Sequence, residues 1–350
     1  MSLLSGILFH LVGAFSASIC YTPQNKVKNW SWQTFWLAQA SVCWIILPLI
    51  VAFLTIPNLY IILTEAPSKA MWTSFLLGFV YGIGGTAFGI AIRYVGFSLT
   101  YAISVGISCV LGTLAIPIYK GELVELANRL GFNWIILGIS VGILGIALCG
   151  KAGYSKERDF KIGNISEKFS FSKGLPICIL AGVLAAFYSF SLDQGQPIAD
   201  VAEKYGAGSF QGNVIYLFSN SGAFLSTLIF CLFLHLKEKT FSEFFSSKKS
   251  GLNKSSFLFF NYFLAILTGS FWYLQFFFYG LGHNNMGEFK FSSWAIHMIL
   301  LVLVSNIVGL ILKEWKSSGI TTRKYLGSAL VVLILSVLIL TYGNYLGIKE

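Results

Sequence analysis

Leu326-Gly327-Ser328-Ala329-Leu330-Val331-Val332-Leu333-Ile334-Leu335-Ser336-Val337-Leu338-Ile339-Leu340 lies inside a segment, residues 325–346, that holds no Asp, Glu, Lys or Arg. A hydrocarbon core of about 30 Å is crossed by about 20 helical residues, and a helix satisfies its own backbone where no water can. The segment therefore reads as a transmembrane helix. Working outward, nine more stretches of the same kind precede it, at residues 3–22, 34–56, 72–92, 98–118, 132–150, 174–193, 209–235, 257–281 and 292–312. The chain is predicted to be an all-α polytopic membrane protein of ten transmembrane helices, with no stretch left for a soluble domain. Composition agrees, since 56% of residues are hydrophobic and only 11% charged, against about a quarter charged in soluble domains. The net charge of +10 sits in short loops beside apolar helices, where it sets topology and meets anionic lipid rather than nucleic acid.

The loops after the first, third, fifth, seventh and ninth helices hold 18 Lys and Arg residues, and the alternate loops hold 5. By the positive-inside rule the first set is cytoplasmic, so both termini are expected to face outward from a cell inner membrane. The longest hydrophilic gap, residues 151–173, carries Lys151, Lys156, Arg158, Lys161, Lys168 and Lys173. It divides the chain into a first five-helix repeat (1–150), a cytoplasmic basic linker (151–173) and a second five-helix repeat (174–350). Five is odd, so the two repeats insert with opposite orientation, the arithmetic of an inverted repeat. Glycines and small residues at four-residue spacing, among them Gly78 and Gly82, Gly138 and Gly142, and Gly343 and Gly347, predict close helix packing. The six cysteines show no ligand spacing and read as small packing residues.

An ionisable residue within a span is expensive and points to function. His10, His297 and Asp193 are the candidate proton carriers. Histidine titrates near neutral pH, and Asp193, at the start of Asp193-Gln194-Gly195-Gln196-Pro197, reads either as a proton-binding carboxylate or as the end of its helix. His283 reads as an interfacial residue. The richest aromatic and polar run is Phe271-Trp272-Tyr273-Leu274-Gln275-Phe276-Phe277-Phe278-Tyr279, in which Trp272, Gln275 and Tyr279 share one helix face. A sugar offers an apolar face and a rim of hydroxyls, so aromatic plates beside amides and phenols suit it. Trp272, Gln275, Tyr279, Tyr273, Asn261, Trp294 and Tyr81 are the candidate binding residues. No hydrolase, zincin or Walker signature is present, and nothing in the sequence calls for an enzyme, a metal, a cofactor or an obligate protein partner.

Taken together, His10-Leu11-Val12-Gly13-Ala14, Lys26-Val27-Lys28-Asn29-Trp30-Ser31-Trp32, Trp272 to Tyr279 and Leu312-Lys313-Glu314-Trp315 resemble the L-rhamnose/proton symporter family of the drug/metabolite transporter superfamily. The resemblance runs from end to end. It implies a pseudo-symmetric bundle that imports L-rhamnose or a related deoxysugar by proton symport with alternating access. It departs from the family pattern along Tyr81 to Gly89, which lacks side-chain hydrogen-bonding groups found there, and at Asp193 and Gln196. The alternative readings are a sodium-coupled or other-sugar symporter and an exporter of hydrophobic compounds.

Overall fold

The computed structural model describes residues 3–162, 170–246, 255–286, 290 and 292–348. Among them, ten helices are long and apolar enough to cross a membrane. They are α1 (Leu3–Lys26), α2 (Trp32–Thr55), α3 (Ser68–Gly96), α4 (Ser98–Lys120), α5 (Phe132–Asp159), α6 (Phe171–Lys204), α7 (Gly208–Glu238), α8 (Phe257–His283), α9 (Ser292–Ile311) and α10 (Ile320–Gly347). Each coincides with one of the predicted stretches, and several run longer. Helical backbone after Phe132 continues to Ile162, so the first half of the basic gap prolongs α5 rather than forming a loop. The break between α3 and α4 is a single turn at Gly96, whose φ of 79° and ψ of 179° fall where only glycine is unstrained.

Two helix starts are capped by carboxylates far away in sequence. A helix N-terminus carries unpaired N–H groups and positive partial charge, so an anion there satisfies both. At α2, one oxygen of Glu243 accepts from the Ser31 backbone N–H at 2.6 Å, the Ser31 hydroxyl at 2.7 Å and the Thr34 hydroxyl at 2.6 Å. At α4, one oxygen of Glu314 accepts from the Ser98 hydroxyl at 2.9 Å and from its N–H at 3.3 Å.

The chain forms two compact units. The first comprises residues 1–18, 84–190 and 278–350, and the second 19–83 and 191–277. In the first unit α5 lies along α10. A Cβ at Gly138 would come within 2.7 Å of Leu340, one at Gly145 within 2.8 Å of Leu333, and one at Gly131 within 2.2 Å of the Gly343 carbonyl oxygen. The predicted glycine spacing is thus used for packing, and the Ser336 hydroxyl adds a 2.6 Å bond to the Gly138 carbonyl. In the second unit α3 meets α7 with backbones touching: a Cβ at Gly78 would lie 2.0 Å from the Ser219 carbonyl oxygen, and one at Gly222 would lie 1.9 Å from that of Phe75.

The division recurs along the chain. Starting in the first unit, the chain leaves it within α1, stays out through α2, and returns within α3 for α4 and α5. It leaves again within α6, stays out through α7, and returns within α8 for α9 and α10. Each unit therefore draws on both halves of the sequence.

Candidate functional site

In the first unit, His10 of α1 is fully buried, and its Nε2 is 2.9 Å from the hydroxyl of Ser293 at the start of α9. Ser293 and His297 stand one helical turn apart on α9 and so share a face. The ring of His297, 1% exposed, meets that of His10 edge-on with centroids 5.4 Å apart. Tyr279 of α8 is the hub, with ring centroids 5.5 Å from His10, 5.4 Å from His297, 5.7 Å from His283 and 5.5 Å from Trp294. Trp294 is held from its far side, since its indole N–H donates to the Ser108 carbonyl at 3.0 Å. Glycines let these rings in. A Cβ at Gly282 would lie 2.7 to 2.9 Å from three atoms of the His10 ring, and one at Gly112 would lie 2.5 Å from the Trp294 nitrogen. The geometry places a pair of imidazoles, one of them hydrogen-bonded, in a buried cluster of rings. A proton on one such ring repels a second on the other by roughly 3 kcal/mol at an effective dielectric constant of about 20, so the pair suits a single proton.

The second unit holds an aromatic cage. Trp272 of α8 touches three rings, with centroids 5.2 Å from Tyr21, 5.5 Å from Trp36 and 5.0 Å from Trp44. Tyr21 stacks on Trp36 at 5.6 Å, Trp36 stacks on Trp32 at 4.9 Å, and Trp44 meets Tyr81 at 6.2 Å. Tyr81 and Trp272 are also joined by a side-chain hydrogen bond. Trp36 and Trp44 are eight residues apart, which on a regular α-helix is about 80° past facing the same way. The π-helical turn Val42–Ile46 absorbs one residue, so the eight count as seven and both indoles reach Trp272.

The predicted site residues divide between these clusters. Tyr279, Trp294, His10 and His297 belong to the first unit, and Trp272, Tyr273, Gln275 and Tyr81 to the second. The face read from Trp272 through Gln275 to Tyr279 is therefore split where α8 passes from one unit to the other. Asn261 serves neither cluster. Its amide donates to the Lys28 carbonyl at 2.7 Å and accepts from the Lys28 N–H at 3.2 Å, about 16 Å along α8 from Trp272. Asp193 does not end its helix as the sequence suggested. It lies half-buried within α6, which continues to Lys204, and accepts a hydrogen bond from Gln194 at 3.1 Å. Sequence reasoning missed Trp36, Trp44 and Tyr21. Trp32, Trp36 and Gln39 fall at i, i+4 and i+7, a legible face of α2; Trp44 joins them only through the π turn.

Residues 1–345 match the model of the L-rhamnose-proton symport protein family. The chain belongs to that family. L-rhamnose-proton symporters of Cronobacter sakazakii and Escherichia coli are each 35% identical to it over 340 residues, covering 97% of both chains. That of Enterobacter sp. is 34% identical over the same length and coverage. As a member of a symporter family the chain is a transporter and not an enzyme. What distinguishes its two clusters is then chemical: one can hold a proton, and the other can hold a neutral ligand with an apolar face.

Proposed function

We propose that this protein imports L-rhamnose, or a closely related deoxysugar, together with a proton, by alternating access across the cell inner membrane. Membership of the rhamnose-proton symport family supports the substrate pair. The observation that carries the mechanism is the contact of His10 with Ser293, His297 and Tyr279, which supplies a buried titratable pair. In this reading His10 and His297 share the coupling proton. Trp272, Tyr273, Gln275 and Tyr81 bind the sugar; Tyr279 and Trp294, also candidates for binding it, pack in the histidine cluster. Asp193 is the competing proton carrier. Symport follows when proton and sugar each favour the occluded carrier and neither alone allows the crossing.

The ten helices are read as two inverted repeats, 1–150 and 174–350 joined by 151–173. The identical order in which each half crosses between the compact units supports that reading. The excess of Lys and Arg in alternate loops supports extracytoplasmic termini. A C-terminal phosphatase fusion should be active and a C-terminal fluorescent fusion dark; the reverse pattern would overturn the orientation. The function is tested by uptake of labelled L-rhamnose in cells lacking their own carrier. Accumulation that collapses with an uncoupler is the expected result, and accumulation that instead follows a sodium gradient would move the coupling ion.

A further inference from the structure

In the aromatic cage, buried polar groups lack partners to an extent the rest of the second unit does not show. Elsewhere in that unit three amides are engaged. Gln33 donates to Glu238 at 2.8 Å and to Thr240 at 3.0 Å, Asn213 donates to Thr55 at 2.9 Å, and Asn261 closes two bonds on Lys28. Gln39 lies on the same helix as Gln33 and is 0% exposed, yet neither its amide nitrogen nor its amide oxygen has a hydrogen-bond partner. The same holds for the indole nitrogens of Trp32, Trp36 and Trp44, the hydroxyl of Thr268 and the hydroxyl of Tyr273.

These groups converge on the crossing of α2 and α8. A Cβ at Gly269 would lie 2.6 Å from the Gln39 carbonyl oxygen, so the two backbones touch at Gln39 and Gly269, the residue after Thr268. Trp36 and Gln39 are i and i+3 on α2, and Thr268 and Trp272 are i and i+4 on α8, so each pair shares a face. Leaving a buried amide unpaired at both ends is costly. A cluster retaining so many unpaired donors around one amide is built for something that pairs with them. None of the named groups carries a charge. The indoles only donate, the hydroxyls donate and accept, and the Gln39 amide does one at each end. The complement is a neutral polyol with an apolar face.

We infer that Gln39 is a sugar-binding and specificity-determining residue of α2, its amide oxygen accepting from one ring hydroxyl while its amide nitrogen donates to the neighbouring one. The inference rests on the transport reading above and adds to it a second helix, one that supplies the discriminating hydrogen bonds while the indoles cover the deoxygenated edge. A site built to bond a hydroxyl strongly rejects the analogue lacking it, whereas an apolar wall discriminates weakly.

The test uses purified full-length protein, with binding followed by tryptophan fluorescence, and compares L-rhamnose with analogues in which one ring hydroxyl at a time is replaced by hydrogen. Wild type should bind L-rhamnose at least about tenfold more tightly than one such analogue. Gln39→Leu should lose roughly ten- to a hundredfold in L-rhamnose affinity, erase that discrimination, and unfold at a higher temperature than wild type without sugar, because it removes an unpaired buried amide. Gln39→Met provides the same readout with a flexible isostere should Leu fail to pack. Unchanged affinity and discrimination in these variants would overturn the inference while leaving the transport reading intact. So would an equal loss for every sugar accompanied by a lower unfolding temperature, since that marks a packing role. Wild type that binds no L-rhamnose would instead sink the transport reading itself.

Discussion

The histidine cluster of the first unit and the aromatic cage of the second are both buried and both rich in rings, yet they are finished to different degrees. In the first, glycines at 112 and 282 seat the rings at close quarters, Trp294 is bonded to Ser108, and His10 to Ser293, while Nδ1 of His10 and both ring nitrogens of His297 are left without partners, as a site that takes up a proton requires. In the second, three indole nitrogens, an amide, a hydroxyl and a phenol remain without partners. A proton is small and needs a pre-set acceptor, whereas a sugar brings its own donors and acceptors and needs a site left open to them. On the function proposed above, the contrast separates coupling from recognition within one chain.

The sharpest way to break that comparison is to remove the proton acceptors. His10→Gln and His297→Gln should each abolish accumulation against a gradient while sugar binding and exchange across the membrane stay largely intact. Full proton-driven accumulation in both would move the assignment to Asp193 or to another ion. Next in size comes the cage. Trp272→Ala, which removes the ring touching Tyr21, Trp36 and Trp44, should weaken L-rhamnose binding by about thirtyfold or more, as expected for a buried aromatic anchor. Gln275→Ala should cost roughly one to two decades. If either leaves the affinity of the purified protein unchanged, recognition does not lie in the second unit.

A smaller effect sharpens the first cluster. Gly282→Ala should push the His10 ring from its seat, lowering the accumulation ratio several-fold while the sugar Kd stays within about twofold; an unaltered ratio would mean that the ring position is not critical. Smallest of all, Asn261→Ala should leave both the Kd and the accumulation ratio near wild type and lower thermal stability by about 1 to 2 kcal/mol through the loss of its two bonds to Lys28. A large loss of affinity there would return Asn261 to the sugar site.

The ten helices were legible because hydrocarbon imposes a single rule, a run of apolar residues long enough to cross it, and the segment 325–346 obeys that rule without exception. His10 and His297 stand out as candidates in the sequence because an ionisable group in such a run has no cheap explanation, and the structure brings their rings together. Trp272 and Tyr279 share a face in the sequence and fall in different compact units. Helical periodicity reports which residues share a face, but not that a long helix serves different neighbours along its length. A run of Asp, Gln, Gly and Pro at Asp193 resembles a helix end, whereas α6 tolerates Pro197, which has no N–H for the Asp193 carbonyl, and continues for eleven residues beyond Asp193. The cage was hidden for a third reason: Trp36 and Trp44 meet through a π turn that residue spacing on a regular helix argues against.

The sequence by itself determined that this chain lies in a membrane and how many times it can cross, because those properties depend on the transfer of each segment from water and are nearly independent of its neighbours. Only the tertiary structure decided which buried polar groups find partners. His10 and Ser293 are 283 residues apart in sequence and 2.9 Å apart in space, while Gln39 has no partner for its amide. A hydrogen bond forms or fails over tenths of an ångström, and only the packed positions of distant helices set that distance.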